Sequence, residues 1–227
     1  GVALRKVIAH SYRLTAITAV LVFALSQLLA SAALTGLHTP QNIIGMALLY
    51  LRIIFCGIPF TTAYNMFACE LRAIGNSKAP LTAMLIASLI NIVLDLLFVG
   101  LLGFGVGAAA LATIISQFSS AFLCMLRLMR TKDVYQVQIS QIRFHKGMLG
   151  QIIGIGLPSG MQNSIISFAN IIVQTNINKF GVMAVAGCGV YSKIEGFAFL
   201  PITCFAMSLT TFIGQNLGAK QYDRAKK

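Results

Sequence analysis

The sequence predicts an all-α, polytopic membrane helix bundle, and three observations carry that assignment. Hydrophobic residues make up 57% of the 227 and charged residues 10%, with a mean hydropathy of +0.84, whereas soluble domains carry roughly 25% charged residues. Apolar stretches at 9–37, 42–70, 80–102, 106–128, 148–177 and 183–213 are each long enough to cross a bilayer, which takes about 20 residues. The 17 Lys and Arg residues, against five acids, gather in particular loops rather than in a nucleic-acid-binding patch, as membrane orientation requires.

The loops set the orientation. Arg5, Lys6 and Arg13 precede the first stretch, Arg72 and Lys78 follow the second, Arg127, Arg130, Lys132, Arg143 and Lys146 follow the fourth, and Lys220, Arg224, Lys226 and Lys227 close the chain. The opposite side has Lys179 alone, and Arg52 and Lys193 lie within apolar stretches. The positive-inside rule then places both termini and the polar linker Thr131–Lys146 in the cytoplasm of a multi-pass cell-membrane protein. The chain begins at Gly1 without Met and ends in Arg224-Ala225-Lys226-Lys227, so a piece of a longer polypeptide is expected.

The first stretch has only mild polar groups, Thr15, Thr18, Ser26, Gln27 and Ser31, suited to helix packing. In the second, Thr61, Asn65 and Cys69 share a face, and Pro59, which lacks a backbone donor, is expected to kink the helix. Arg52 either snorkels or pairs with an acid; Glu70 and Arg72, at the end, read as solvated. The third stretch holds Ser88, Asn91 and Asp95 at spacings of three and four, on one face of an otherwise apolar helix. Lipid cannot solvate that face, and an ionised aspartate there costs about 3 kcal/mol on insertion scales. The functional reading is a cation or proton site; the structural one is a hydrogen bond between helices.

The fourth stretch opens on the small residues Gly107 to Ala110, a surface for close helix approach, and then shows Thr113, Ser116, Gln117 and Ser120 on one side. The Gly103-x-Gly105-x-Gly107 spacing follows a membrane helix rather than a strand and is not a nucleotide loop. The fifth runs Asn163, Ser167, Asn170, Gln174 and Asn178 after Pro158. An uncharged stripe the length of a spanning helix reads as the wall of an aqueous pathway, the alternative being interhelical hydrogen bonds of about 0.6 kcal/mol each. The sixth places Tyr191 and Glu195 one turn apart, with Lys193 on another face, before Pro201.

Cys56, Cys69, Cys124, Cys188 and Cys204 fall in apolar stretches without paired spacing and read as small hydrophobes. His10, His38 and His145 have no metal-ligand spacing, and no nucleophile elbow or phosphate loop is present. The chain is therefore read as no enzyme, without an organic cofactor, its energy coming from an ion gradient or from another part of the protein.

Several motifs carry a resemblance. Tyr50-Leu51-Arg52-Ile53, Gly57-Ile58-Pro59-Phe60, Leu71-Arg72-Ala73-Ile74-Gly75-Asn76, Asn91-Ile92-Val93-Leu94-Asp95, Ala110 to Gln117, Gly156-Leu157-Pro158 and Gly214-Gln215-Asn216-Leu217-Gly218-Ala219 occur in the order and spacing of the multidrug and toxic-compound extrusion (MATE) transporters. The chain resembles helices three to eight of that family's two-lobed, twelve-helix fold. The resemblance implies that 1–130 holds four transmembrane helices of the N-terminal lobe, 131–146 is the linker, and 147–227 holds the first two of the C-terminal lobe.

It also implies a cation-coupled efflux antiporter working by alternating access. Asp95 and Asn91 match the family's fifth-helix acid and asparagine for the coupling Na⁺ or H⁺, Thr113 its helix-six threonine, and Asn65 is a looser match; any metal would be Na⁺ at Asp95, Asn91 and Thr113. Asn163, Ser167, Asn170, Gln174, Gln117 and Glu195 are the expected substrate pathway. One branch of the family has a glutamate two turns after the helix-seven proline; here Asn163-Ser164-Ile165-Ile166 has no acid, which favours coupling in the N-terminal lobe. The expected partners are small molecules, organic cations first, the bilayer and the remaining helices of the same polypeptide, with no nucleic acid. A flippase for lipid-linked sugars from the same superfamily is the alternative, and a channel the more distant one.

Overall fold

The computed structural model describes residues 2–36, 41–130 and 146–226. The helices are α1 (Val2–Gly36), α2 (Gln41–Cys56), α3 (Ile58–Ala73), α4 (Lys78–Asp95), α5 (Val106–Arg130), α6 (Lys146–Asn178), α7 (Val182–Gly218) and the short α8 (Tyr222–Ala225). No strand occurs among the described residues. The chain forms two compact units, Gly1–His145 and Lys146–Lys227; the expected linker at 131–146 falls, except for Lys146, outside the described residues, as do residues 37–40.

In the first unit α5 is the hub, packing against α2, α3 and α4. Its sequence dictates this. Ala110, Ala112, Ser116, Ser120, Ala121 and Cys124 are buried, and small side chains let neighbouring backbones come close without a hydrophobic driving force between helices. The hydroxyls of Ser116 and Ser120 donate to the carbonyls of Thr113 and Gln117 on their own helix, at 2.7 and 2.8 Å. A Cβ on Gly107 would touch Ile53 and Leu49 of α2 at 3.4–3.5 Å.

The tightest packing is at the basic end. Phe67 and Leu71 of α3, Ala83 of α4 and Cys124 and Leu128 of α5 form the buried core, with Tyr12 of α1 and Tyr64 against it. Tyr12 and Phe67 are ring neighbours at 5.5 Å, and an edge-on Phe60–Phe118 pair at 5.2 Å joins α3 to α5 farther along. The outward surface is Leu, Ile, Val and Phe, with Leu28 78% and Leu101 81% exposed. Such a surface is the one a bilayer accepts.

Two expected spans differ in detail. The second is broken at Gly57, two residues before Pro59, rather than kinked at the proline. Pro59 sits in the first turn of α3, where a missing N–H breaks no helical bond. Gly57 instead turns tightly, its N–H bonding to the Ile54 carbonyl at 2.8 Å. The third span stops being α-helical at Asp95 and continues as a π-helical turn, Leu96–Leu101. The Leu102 N–H there reaches back five residues to Leu97 at 3.0 Å, and Gly103 leaves the turn at φ +64°.

The second unit is a hairpin of α6, 33 residues, and α7, 37 residues, joined through Gly181 at φ +90°. Its side chains are almost all exposed, because two helices cannot cover one another's perimeter. Five described stretches are long and apolar enough to cross a membrane: His10–Gly36, Ile43–Ala73, Lys78–Leu101, Val106–Arg130 and Met183–Gly218. The fifth expected span, α6, has the length, but Gln162, Asn163 and their polar successors dilute its apolar character.

Candidate functional site

Asn91 and Asp95 stand one turn apart near the end of α4, both partly buried. Asn91 Nδ2 and Asp95 Oδ1 are sealed from solvent and have no hydrogen-bond partner among the described residues. A buried orphan of this kind costs about 1–3 kcal/mol unless another group meets it. A carboxamide can turn to present either its oxygen or its NH₂, so this pair offers oxygen ligands to a small cation, or a carboxylate to a proton. The π-helical turn begins at the residue after Asp95; such turns recur at functional sites because they break the α-helical register locally.

Next to the pair is a cavity of about 190 Å³ between α3, α4 and α5, lined by Tyr64, Ser88, Asn91, Ser116, Gln117 and Ser120 together with Met84 and Ala87. Gln117 is fixed from α3, since Thr61 Oγ1 donates to its Oε1 at 2.7 Å. The break at Gly57 makes that possible: a Cβ there would sit 2.6 Å from the same Oε1. The structure thus brings Asn91 and Gln117 to one cavity. Thr113 lies one turn before Gln117 on α5, its hydroxyl donating to the Ala109 carbonyl at 3.0 Å, and does not line that cavity. Asp95, one turn beyond Asn91, is likewise outside the lining. Asn65 is exposed on α3.

In the second unit Asn163, Ser167, Asn170 and Gln174 are exposed along α6, as is Glu195 on α7. Gln174 Nε2 donates to Asn178 Oδ1 at 2.9 Å, one turn on. Arg52 and Lys193, the two cations within apolar stretches, are exposed.

One reading is corrected. Glu70, expected to be solvated, is partly buried and accepts a 2.6 Å hydrogen bond from Tyr12 Oη, while its Oε1 is sealed without a partner. The sequence holds a faint signal for this: Tyr12, beside Arg13, and Glu70, beside Arg72, stand at the same basic end. Tyr64 was also missed as a cavity residue, although it lies three residues after Thr61 on the same face.

The MatE family model matches residues 1–97 and 158–227. The chain belongs to the MatE family. That family is one of transporters rather than enzymes. The chain is 27% identical over 231 residues, 99% of its own length and 50% of the relative's, to the probable multidrug resistance protein YoeA of Bacillus subtilis strain 168. It is 32% identical to the probable multidrug resistance protein YpnP of the same organism, over 86% of this chain and 43% of that one. A crystal structure of MATE in the bent conformation superposes with a TM-score of 0.87 at 24% identity, over 98% of this chain and 50% of that one. This MatE chain therefore spans about half the length of the curated relatives it matches, and it shares their membrane helix-bundle fold.

Proposed function

We propose that the polypeptide to which this MatE chain corresponds is a cation-coupled multidrug efflux antiporter, with Asp95 as the coupling-ion residue. The observation that carries this reading is the pair of sealed, unpartnered polar atoms on Asn91 and Asp95 beside the cavity of the first unit. Asp95 alternates between a loaded form, protonated or Na⁺-bound, and an empty one. Asn91 supplies the second oxygen of a Na⁺ site, and Thr113, whose hydroxyl donates to the Ala109 carbonyl, keeps its oxygen lone pairs for the same ion. Loading removes the cost of a lone buried carboxylate, so the two forms favour different helix arrangements, and differential affinity for the two arrangements shifts the population between inward- and outward-open forms. The proposed substrate-pathway residues are Gln117 in the first unit and Asn163, Ser167, Asn170, Gln174 and Glu195 in the second, and organic cations are the favoured cargo. Pro158, inside α6, loosens its helix where the arrangement changes.

The flippase reading needs cations lining the cavity, and the cavity between α3, α4 and α5 has none. The test is efflux of a fluorescent organic cation from proteoliposomes of the full-length polypeptide, with a Na⁺ or a proton gradient imposed in turn. Export is expected under one gradient, which names the ion, and Asp95→Asn is expected to abolish it. Gradient-driven export that survives the substitution unchanged would sink the proposal.

A further inference from the structure

A second groove lies on another face of α4 and has no part in the coupling reading. It encloses about 410 Å³ between the first turns of α4 and the last turns of α5. Ala79, Ala83 and Ile86 wall it on one side and Leu123 on the other, with Lys78 and Arg127 at its mouth. The spacing 79, 83, 86 puts this wall on nearly the opposite face of α4 from Ser88, Asn91 and Asp95. Among the described residues no acid lines the groove. Asn76, at the rim, turns its Oδ1 to the Ala79 N–H at 3.2 Å, which leaves its NH₂ as a neutral donor.

We infer that this groove binds one anionic phospholipid of the cytoplasmic leaflet, with its phosphate at Lys78 and Arg127 and an acyl chain against Ala83, Ile86 and Leu123. Three features favour a lipid over a dissolved anion or a peptide. Lys78 begins a membrane-spanning helix and Arg127 nears the end of another, so both cations stand at the boundary between water and hydrocarbon. From Lys78 the apolar wall runs eight residues up α4, about 12 Å, into the depth that acyl chains occupy. Charge complementarity then selects the headgroup, because two cations lining one groove at a membrane surface attract anionic lipid. The side of the membrane follows from the basic loops. The inference does not depend on Asp95 or on any transported ion.

The full-length polypeptide, in which this chain contributes no Trp, is given Ile86→Trp at a side chain 40% exposed, and the signal is taken as the difference from the protein without that substitution. It is reconstituted in phosphatidylcholine bilayers containing increasing amounts of either dibrominated phosphatidylglycerol or dibrominated phosphatidylcholine, and quenching is followed. Half-maximal quenching is expected at an about tenfold lower mole fraction of the brominated phosphatidylglycerol. Lys78→Gln with Arg127→Gln is expected to bring that preference below about twofold, and Lys78→Gln alone to reduce it partly should the double variant fail to fold. Inorganic phosphate in solution is expected to leave the quenching unchanged. Equal quenching by the two lipids, no quenching by either, a preference that survives loss of the cations, or displacement by inorganic phosphate would each overturn the inference.

Discussion

Tyr12 and Glu70 meet through one short hydrogen bond beside the buried core of the first unit, and the other carboxyl oxygen has no donor among the described residues. A neutral phenol that satisfies half of a sealed carboxyl group holds α1 to α3 more by avoiding a penalty than by attraction. Tyr12→Phe keeps the ring against Phe67 but leaves both Glu70 oxygens without the phenol. It is expected to destabilise the full-length protein by about 1 kcal/mol, seen as a lower melting temperature in detergent. Tyr12→Phe combined with Glu70→Leu, which removes donor and acceptor together, should cost less than Tyr12→Phe alone, and the reverse order would show the bond to be incidental. The sequence made Asn91 and Asp95 legible because two polar residues one turn apart in an apolar helix can be counted. It did not reveal the bond from Tyr12 to Glu70, because that contact depends on how α1 packs against α3 and not on spacing within either helix.

At the scale of the helix, the broken second span shows how a proline misleads. A proline in the first turn of a helix is tolerated, while a glycine against a neighbour's side chain is not free to change. Pro59→Ala is therefore expected to shift stability by less than about 1 kcal/mol. Gly57→Ala, whose Cβ would lie 2.6 Å from Gln117 Oε1, should cost about 1–3 kcal/mol. The double substitution Gly57→Ala with Gln117→Ala should recover part of that loss in a thermal-shift cycle, and strict additivity would show that the two residues do not meet. Helix count, polar faces and the small-residue face of α5 were readable because they depend on spacing within one helix. The Thr61–Gln117 bond and the π-helical turn after Asp95 were not, because the first depends on the rotation of α3 against α5 and the second on a local change of hydrogen-bond register.

At the scale of the whole molecule, the second unit exposes nearly every side chain of two long helices. Its apolar faces are stable against lipid, yet the stripe from Asn163 to Gln174 is not, since lipid offers no hydrogen bonds. With the chain spanning about half of its relatives, this stripe needs either water or further helices to face. Residues 1–227 alone, reconstituted in proteoliposomes, are expected to show no gradient-driven export under conditions where the full-length polypeptide does. Export by the half-length chain would end the two-lobed reading.

The serine hydroxyls of α5 have a mechanical consequence. Because Ser116 and Ser120 bond to carbonyls of their own helix, the surface they present to their neighbours at those positions is smooth and already hydrogen-bonded. A shift of α4 along α5 would therefore break neither serine bond. The pin from Thr61 to Gln117 meanwhile holds α3 to α5. A cation captured on α4 would then do its work as an axial stroke of one helix past a fixed pair.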